Sequence, residues 1–296
     1  MFKLVSICCV MFAGVLIAAE PIREIDYRGA NLTPRVGSPT IDHRYAAVYD
    51  QEKVAIYAPD GSFAFTYVPP YGGLTTNVAV DSDGTVAAAM AHVPSDRGPG
   101  IAVVDREGKL KTYISTAPYM PFHVCFGPDH SIWAIGQVRN GKAKGAADYF
   151  VLHHYSREGQ ELGAFLPRSS LDKDDIAEPA EIFVGVALLR ATSERIGAYL
   201  FYGGRRKGPW IEFGLDGKEI GRWKLPDGFD GHVRAFTRGG QVYASGLSGL
   251  FVLDHSTGKW NPVQSPSEGI LLSADGDDLV YWLREQGRMR FVPTGD

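Results

Sequence analysis

The chain repeats one short pattern five times: an alternating strand, a tight polar turn that contains glycine, and a second strand. The copies begin at Val54, Ile101, Phe150, Trp210 and Leu250, and their turn glycines are Gly61, Gly108, Gly159, Gly217 and Gly258. Successive glycines are separated by 47, 51, 58 and 41 residues. Each copy predicts a β-hairpin, because glycine adopts the positive φ that a tight hairpin turn needs. A repeat of this length restricts the fold more than any other feature of the sequence.

A second hairpin pattern lies between these copies, and it consists of an apolar strand, a turn and another apolar strand. It is clearest from Asn77 to Val86, His123 to Ile132, His232 to Val242 and Gly269 to Leu279, with divergent copies around Thr40 to Tyr49 and Ile182 to Phe201. Each pair of successive hairpins supplies four antiparallel strands. The 35 glycines and 18 prolines fit short strands joined by tight turns, and no window of a dozen residues holds a helical period. The sequence therefore predicts an all-β chain.

Repeats of about 40 to 50 residues with four strands each are typical of β-propeller blades. One blade cannot bury both of its faces, so the blades must close into a ring, and we predict six of them. The last copy ends one strand early, after the strand from Met289 to Val292. The alternating segment from Ile22 to Arg28 belongs to no other copy. We expect this N-terminal strand to complete the last blade and close the ring.

The segment from Asn77 to Val86 resembles the core of an NHL repeat. The six-blade spacing with a split last blade is similar to the NHL-repeat and TolB-like superfamily of six-bladed propellers. As architecture the resemblance covers nearly the whole mature chain, and as a motif it is good in blades two and three and poor in blade four. That superfamily includes scaffolds, sugar-lactone hydrolases and an amidating lyase, so the resemblance implies a fold and leaves the function open.

The N-terminus has the layout of a secretory signal peptide. Lys3 precedes an apolar run from Leu4 to Ala19, which ends in small residues before the polar Glu20. The run is shorter than the roughly 20 apolar residues of a membrane-spanning helix. We predict cleavage after Ala19, which makes residues 1–19 the signal peptide and residues 20–296 a single propeller domain. The protein would then be periplasmic or secreted.

The mature chain would keep one cysteine, Cys125, so stability must come from the hydrophobic core and not from a disulfide. A net charge of −4 argues against an electrostatic surface for nucleic acid. We expect a soluble monomer that has no membrane anchor after cleavage and binds an unknown protein or small-molecule ligand. The sequence identifies no cofactor.

The best candidate site consists of polar residues at the start of the innermost strands. Asn77, His123 and His232 each stand six residues before the turn of an inner hairpin, and Glu268 is one residue away from the matching position in the last blade. Blades are related by rotation about the ring axis, so we expect these side chains to converge at the mouth of the central channel. They are the predicted ligand-binding residues.

The same position also raises the possibility of a metal site formed by His123, His232 and Asn77, because imidazole is the commonest metal ligand. The alternative is that the polar ends of the inner strands hydrate a water-filled channel. Two basic loops could frame an anionic ligand, namely Lys142 with Lys144 and the Arg205-Arg206-Lys207 segment. The alternative for them is that charged surface loops keep the protein soluble.

Other residues that could carry chemistry have simpler explanations. His153 and His154 are adjacent in a strand and point to opposite faces, so they cannot chelate one ion. Cys125 lies between Val124 and Phe126 on an inner strand, which favours a core residue over a nucleophile. The acidic residues between Asp172 and Glu178 depart from a calcium-loop pattern and are interpreted as a solvated loop.

The leading functional hypothesis is an exported, non-enzymatic binding or scaffold propeller that recognises a ligand or protein through the loops at its channel mouth. The alternative is a metal-dependent hydrolase or lyase similar to the lactonase-like six-bladed propellers. No complete catalytic constellation is present in the sequence, so whether the protein is an enzyme stays open and no catalytic residue is assigned.

Overall fold

The computed structural model describes residues 23–26, 35–37, 46–49, 54–58, 62–68, 70, 73–92, 97–138, 148–171, 187–202 and 206–294. Several features predicted from the sequence lie outside these residues. They are the signal peptide and its cleavage site, Lys142, Lys144, Arg205 and the acidic loop from Asp172 to Glu178.

The described residues form 24 β-strands and a short 3-10 turn at Arg168–Ser170. The strands are β1 (Arg23–Asp26), β2 (Arg35–Val36), β3 (Ala46–Tyr49), β4 (Val54–Tyr57), β5 (Phe63–Tyr67), β6 (Leu74–Val80), β7 (Val86–His92), β8 (Gly100–Val104), β9 (Leu110–Ser115), β10 (Tyr119–Phe126), β11 (Ile132–Val138), β12 (Phe150–Tyr155), β13 (Glu161–Pro167), β14 (Leu188–Ala191), β15 (Arg195–Tyr202), β16 (Arg206–Gly214), β17 (Glu219–Trp223), β18 (His232–Phe236), β19 (Val242–Gly246), β20 (Gly249–Asp254), β21 (Lys259–Val263), β22 (Ile270–Asp275), β23 (Asp278–Leu283) and β24 (Arg288–Pro293). Among the described residues no helix has the length and apolar character needed to cross a membrane.

These strands pair into six four-stranded antiparallel sheets. In five of them consecutive strands are neighbours, from β2–β5 to β18–β21. Contacts between innermost strands link the sheets around a ring: β6 contacts β10, β10 contacts β14, β14 contacts β18, β18 contacts β22, and β22 contacts β2. The remaining junction is made by β3 against β6. The predicted all-β propeller of four-stranded antiparallel blades is therefore confirmed.

The remaining sheet joins the two ends of the chain. Its strand order is β1-β24-β23-β22, and Arg23 pairs with Phe291 and Ile25 with Met289 in antiparallel register. Glu24 accepts hydrogen bonds from Arg290 Nε at 2.8 Å and from Arg288 Nη1 at 3.2 Å. Burial of the Ile25 side chain adds an apolar contact, so the N-terminal strand forms the outer edge of the last blade, where the sequence predicted it.

The core lies between the blades, because successive residues of each strand face opposite neighbours. On β6, Val78 and Val80 pack in the cluster shared with β3, β4 and β5, whereas Ala79 packs in the cluster shared with β10 and β11. The largest fully buried side chains include Trp133 and Trp210. Each buried side chain of this size contributes about 2 kcal/mol or more of hydrophobic stabilisation. The one cysteine among the described residues, Cys125, is free, so this part of the chain depends on such packing.

Four of the innermost strands carry a β-bulge, which inserts one extra residue into the register. The bulged residues are Thr76 on β6, Phe122 on β10, Arg234 on β18 and Leu272 on β22. A bulge re-aims the side chains on either side of it, and bulges are common beside functional sites. The bulge on β18 comes after His232, whereas those on β6 and β10 come before Asn77 and His123. This difference decides how the candidate site is built.

Candidate functional site

Asn77 is locked between two blades by a hydrogen bond. Its side chain is 1% exposed, and its Oδ1 accepts a hydrogen bond from the backbone N–H of Val124 at 3.0 Å. Val124 belongs to β10 of the following blade and directly follows His123 in the sequence. The polar atoms of a buried side-chain amide need hydrogen-bond partners, and this contact supplies one of them. Asn77 therefore links two neighbouring inner strands.

His123 is also buried, with 7% of its surface exposed. It stands opposite Ile135 of β11, and Asn77 stands opposite Ala89 of β7. His232 stands opposite Ser245 of β19. Each of the three partners is the fourth residue of its strand, so the three polar residues lie at one depth in the ring. The strand register gives the position of each residue along the ring axis but not the distances between their side chains. That the three side chains converge across the channel therefore stays a prediction.

His232 contacts a different neighbour from Asn77. Its Nδ1 lies 3.2 Å from the hydroxyl of Tyr199, which belongs to β15 of the preceding blade. The bulge at Arg234 lies between His232 and the hairpin turn, whereas the bulges on β6 and β10 lie on the other side of Asn77 and His123. His232 is half-buried, and it therefore combines a fixed Nδ1 with partial access to solvent.

Burial raises the pKa of the Tyr199 phenol well above its ordinary value, and the nearby Arg234 guanidinium lowers it only in part. The hydroxyl therefore stays protonated at physiological pH and can both donate and accept a hydrogen bond. When it accepts from Nδ1–H, the imidazole is held in the tautomer that leaves a lone pair on Nε2. An imidazole held in one tautomer in this way is suited to acid–base chemistry.

Two arginines on inner strands belong to the same region, and the sequence did not point to either. Arg190 of β14 is buried and donates from Nη2 to Ser273 Oγ at 2.8 Å and to the Val36 carbonyl at 3.5 Å. Because Ser273 lies on β22 and Val36 on β2, the side chain reaches across the ring axis. Arg234 is half-buried on β18, two residues after His232. A charged residue within an otherwise apolar inner strand was the signal that could have identified both.

The other predicted ligand-binding residues are more peripheral. Glu268 is exposed in the loop that leads into β22, where its carbonyl accepts a hydrogen bond from Ser267 Oγ at 3.0 Å. Arg206 is the first residue of β16, and the structure describes its backbone but not its side chain. Arg205 lies outside the described residues. Their part in ligand binding stays a prediction.

Cys125 is buried in the cluster that joins the β10–β13 and β14–β17 blades. Burial raises the pKa of its thiol to about 12, and the charge of Arg190 offsets this only in part. A thiol with this pKa holds almost no nucleophilic thiolate at physiological pH. Within the described part of the chain, no group of three or more His, Cys, Asp or Glu side chains is placed to hold a metal ion.

Polar clusters on the opposite face of the ring have structural partners. Ser131 Oγ donates to Asp129 Oδ1 and lies 2.6 Å from His154 Nε2, so the serine stands between the acid and the imidazole. A catalytic triad requires the imidazole in the middle. Trp133 stacks on His154 with ring centroids 4.0 Å apart, and this packing fixes the imidazole within its blade.

A second cluster on this face surrounds the fully buried carboxylate of Glu212. It accepts hydrogen bonds from Trp210 Nε1 at 2.8 Å and Arg195 Nη1 at 2.9 Å, and His255 Nε2 lies 2.7 Å away. Burial alone would raise the pKa of Glu212, but these three contacts outweigh burial and hold the pKa below its ordinary value. His255 comes from the neighbouring blade, so the cluster ties two blades together.

No protein-family model matches the chain, and no curated protein matches it. Several solved structures match the chain. The virginiamycin B lyase of Staphylococcus aureus is 12% identical with a TM-score of 0.53, and the match covers 92% of this chain and 98% of that one. A streptogramin B lyase is 10% identical with a TM-score of 0.54, covering 93% and 88%. A gluconolactonase of Xanthomonas campestris is 16% identical with a TM-score of 0.55, covering 94% and 99%. At these identities the likeness shows the propeller fold alone.

Proposed function

We propose that the protein is a propeller hydrolase or lyase that acts on a small molecule at the mouth of its channel. The observation that carries the proposal is the contact between Tyr199 of β15 and His232, the first residue of the innermost strand β18. This is the alternative that the sequence raised beside a non-enzymatic scaffold. The scaffold hypothesis finds no support in the site or in the comparisons.

The comparisons support this class without supplying the reaction. Two of the similar structures are named as lyases and one as a gluconolactonase, and each is matched over most of its length. Their low identity means that neither their substrates nor their catalytic residues can be transferred to this chain.

His232 would act as the acid–base residue and Tyr199 would position it. In hydrolysis of an ester or lactone, Nε2 takes a proton from the attacking water while a bond forms between the water oxygen and the carbonyl carbon. The carbon–oxygen bond to the leaving group then breaks, and the same proton passes to the leaving oxygen. In elimination, Nε2 would instead take a proton from carbon while the neighbouring carbon–oxygen bond breaks.

The predicted metal site at Asn77, His123 and His232 remains a separate proposal, and no step above depends on it. Its test is zinc titration of the parent protein and of a His123→Ala/His232→Ala double variant. Stoichiometric zinc uptake by the parent alone supports the site. Equal uptake by both proteins, or uptake by neither, contradicts it.

We also propose the finer architecture and the location. The six sheets would be the complete set of blades, including the β2–β5 sheet of which only short segments are described, and the chain would belong with the NHL-repeat and TolB-like propellers. Export would remove residues 1–19 and release a periplasmic or secreted monomer. Mass spectrometry of the exported protein should give Glu20 as its first residue, and an intact Met1 on a membrane-bound form would contradict this.

The proposed activity is tested with three substrates: glucono-δ-lactone, virginiamycin B and the general ester 4-nitrophenyl acetate. The parent protein should turn over at least one of them above the uncatalysed rate. Tyr199→Phe should slow that reaction, and Tyr243→Phe is the control, because Tyr243 lies on β19 and donates its hydroxyl to Gln241 instead. An absence of turnover on all three substrates, with and without added magnesium or zinc, would contradict the proposal.

A further inference from the structure

Arg234 occupies an unusual place in the ring. It is the bulged residue of the innermost strand β18, so it has no register partner on β19. Its side chain is half-buried. Among the described residues, its guanidinium forms no hydrogen bond and no ion pair, and its recorded electrostatic neighbour is the neutral phenol of Tyr199.

Other shielded arginines of the molecule have polar partners. Arg195 bonds Glu212 at 2.9 Å, Arg157 contacts Asp81 and Asp83, and Arg190 bonds Ser273 and two backbone carbonyls. Arg234 has no such partner among the described residues, so half-burial removes part of the hydration of its guanidinium without a hydrogen bond in return. The position of Arg234 therefore suits an anion that arrives from outside.

The nearest carboxylate along the chain is already engaged. Asp230 lies in the loop that leads into β18, and its Oδ1 accepts hydrogen bonds from the backbone N–H and the hydroxyl of Ser248 at 3.3 and 3.1 Å. These contacts hold the loop between β19 and β20 against the loop before β18. Asp230 thus has a role in the shape of the mouth, and it does not neutralise Arg234.

Arg234 also interacts electrostatically with Tyr199, one member of the proposed acid–base pair. The phenol of Tyr199 contacts His232 directly and acts on the charge of Arg234. Arg234 follows His232 by two residues on β18, so a ligand held by the guanidinium would lie near the part of the strand that carries the imidazole. Arginine suits this task, because its planar guanidinium can donate two parallel hydrogen bonds to a carboxylate.

We propose that Arg234 binds a carboxylate group of the substrate, so that the protein acts on carboxylate-bearing small molecules. That the bound ligand is a substrate rests on the proposed function. The binding claim itself can be tested without any turnover.

The test compares succinate with succinamide, which has the same carbon skeleton without the negative charges. Calorimetric titration of the parent protein should detect succinate binding at least about tenfold tighter than succinamide binding, as charge-assisted hydrogen bonds predict. Arg234→Gln should weaken succinate binding about tenfold or more, and Arg234→Lys should weaken it less. Arg284→Gln is the control, because it removes the same charge from an exposed turn between β23 and β24.

Thermal melting separates a ligand-binding role from a structural one. Arg234→Gln removes a poorly solvated charge, so its melting temperature should equal or exceed that of the parent. A lower melting temperature together with lost binding would overturn the proposal, as would parent-like succinate binding by Arg234→Gln or equal binding of succinate and succinamide by the parent.

The proposal and the proposed function fail separately. If no substrate is turned over but Arg234 still decides succinate binding, the carboxylate site stands and the enzyme hypothesis fails. If turnover depends on His232 while Arg234→Gln binds succinate normally, the carboxylate proposal fails alone.

Discussion

Glu212 illustrates how single residues hold neighbouring blades together. Its carboxylate is 0% exposed and is contacted by an indole, a guanidinium and an imidazole. Removing the charge of a fully buried, hydrogen-bonded carboxylate is more costly than losing a surface ion pair, because the buried indole N–H of Trp210 and the guanidinium of Arg195 lose a charged acceptor.

We predict that Glu212→Gln lowers the free energy of unfolding at pH 7 by about 3 kcal/mol. For a chain of this size that corresponds to a fall in melting temperature of roughly 6 °C or more. Glu219→Gln is the control, because Glu219 pairs with Arg222 at the surface of the same blade and should contribute less than about 1 kcal/mol. Equal melting temperatures for the two variants would contradict the structural role of Glu212.

The effect of Glu212→Gln should depend on pH in one direction. The folded state lowers the pKa of Glu212, so its stabilisation is present above the unfolded value of about 4.3 and is lost as the pH falls through the folded value. The difference between parent and variant should therefore shrink below about pH 4. A difference that grows on acidification would mean that the carboxylate is not held in its charged form.

The thiol of Cys125 should not react with alkylating reagents in the folded protein. With its thiol buried and its pKa raised to about 12, iodoacetamide at pH 8 should leave the native protein unlabelled. The urea-denatured protein is the control and should take up one label per mature chain. Native labelling at the rate of an exposed thiol would restore Cys125 as a candidate nucleophile.

At the scale of strands, the N-terminal strand makes the clearest prediction. Deletion of residues 20–28 should lower the melting temperature and promote aggregation, because it removes the buried Ile25 and exposes the edge of β24. Glu24→Gln is the milder comparison, since it weakens the ion pairs but keeps the strand. A deletion variant with unchanged melting and monomeric elution would contradict closure by β1.

The hairpins could be predicted from the sequence, and the bulges could not. Alternating residues around Asp-Gly and Gly-Gly turns identify strand, turn and strand locally, so units such as Asn77 to Val86 coincide with β6 and β7. A bulge depends on how two strands pair, and its extra residue leaves no fixed sequence pattern. For this reason, counting from the turn did not identify Tyr199 as the neighbour of His232, and it did not reveal the bulge at Arg234.

At the scale of the whole molecule, the repeat determined the architecture because one blade has no other way to bury its two faces. The sheets then follow one another around the ring in chain order. The last blade takes only three strands from the C-terminal end, and the N-terminal strand supplies its outer strand. Long-range polar contacts such as Arg190 with Ser273 involve residues 83 positions apart, and no local pattern encodes them. Binding and catalysis depend on contacts of this kind, so the sequence predicts candidate residues but not the contacts that they make.

We propose that chemistry takes place at the mouth of the channel and not at the polar cluster on the opposite face. Two half-buried histidines allow a direct comparison, since His232 contacts Tyr199 at the mouth and His154 contacts Ser131 at the other end. The measurement is the turnover rate of His232→Ala and His154→Ala on whichever of the three test substrates the parent converts. We predict a loss of about 100-fold or more for His232→Ala, the scale of general acid–base catalysis, and a rate within about threefold of the parent for His154→Ala. Parent-like turnover by His232→Ala, or a larger loss in His154→Ala, would contradict the account.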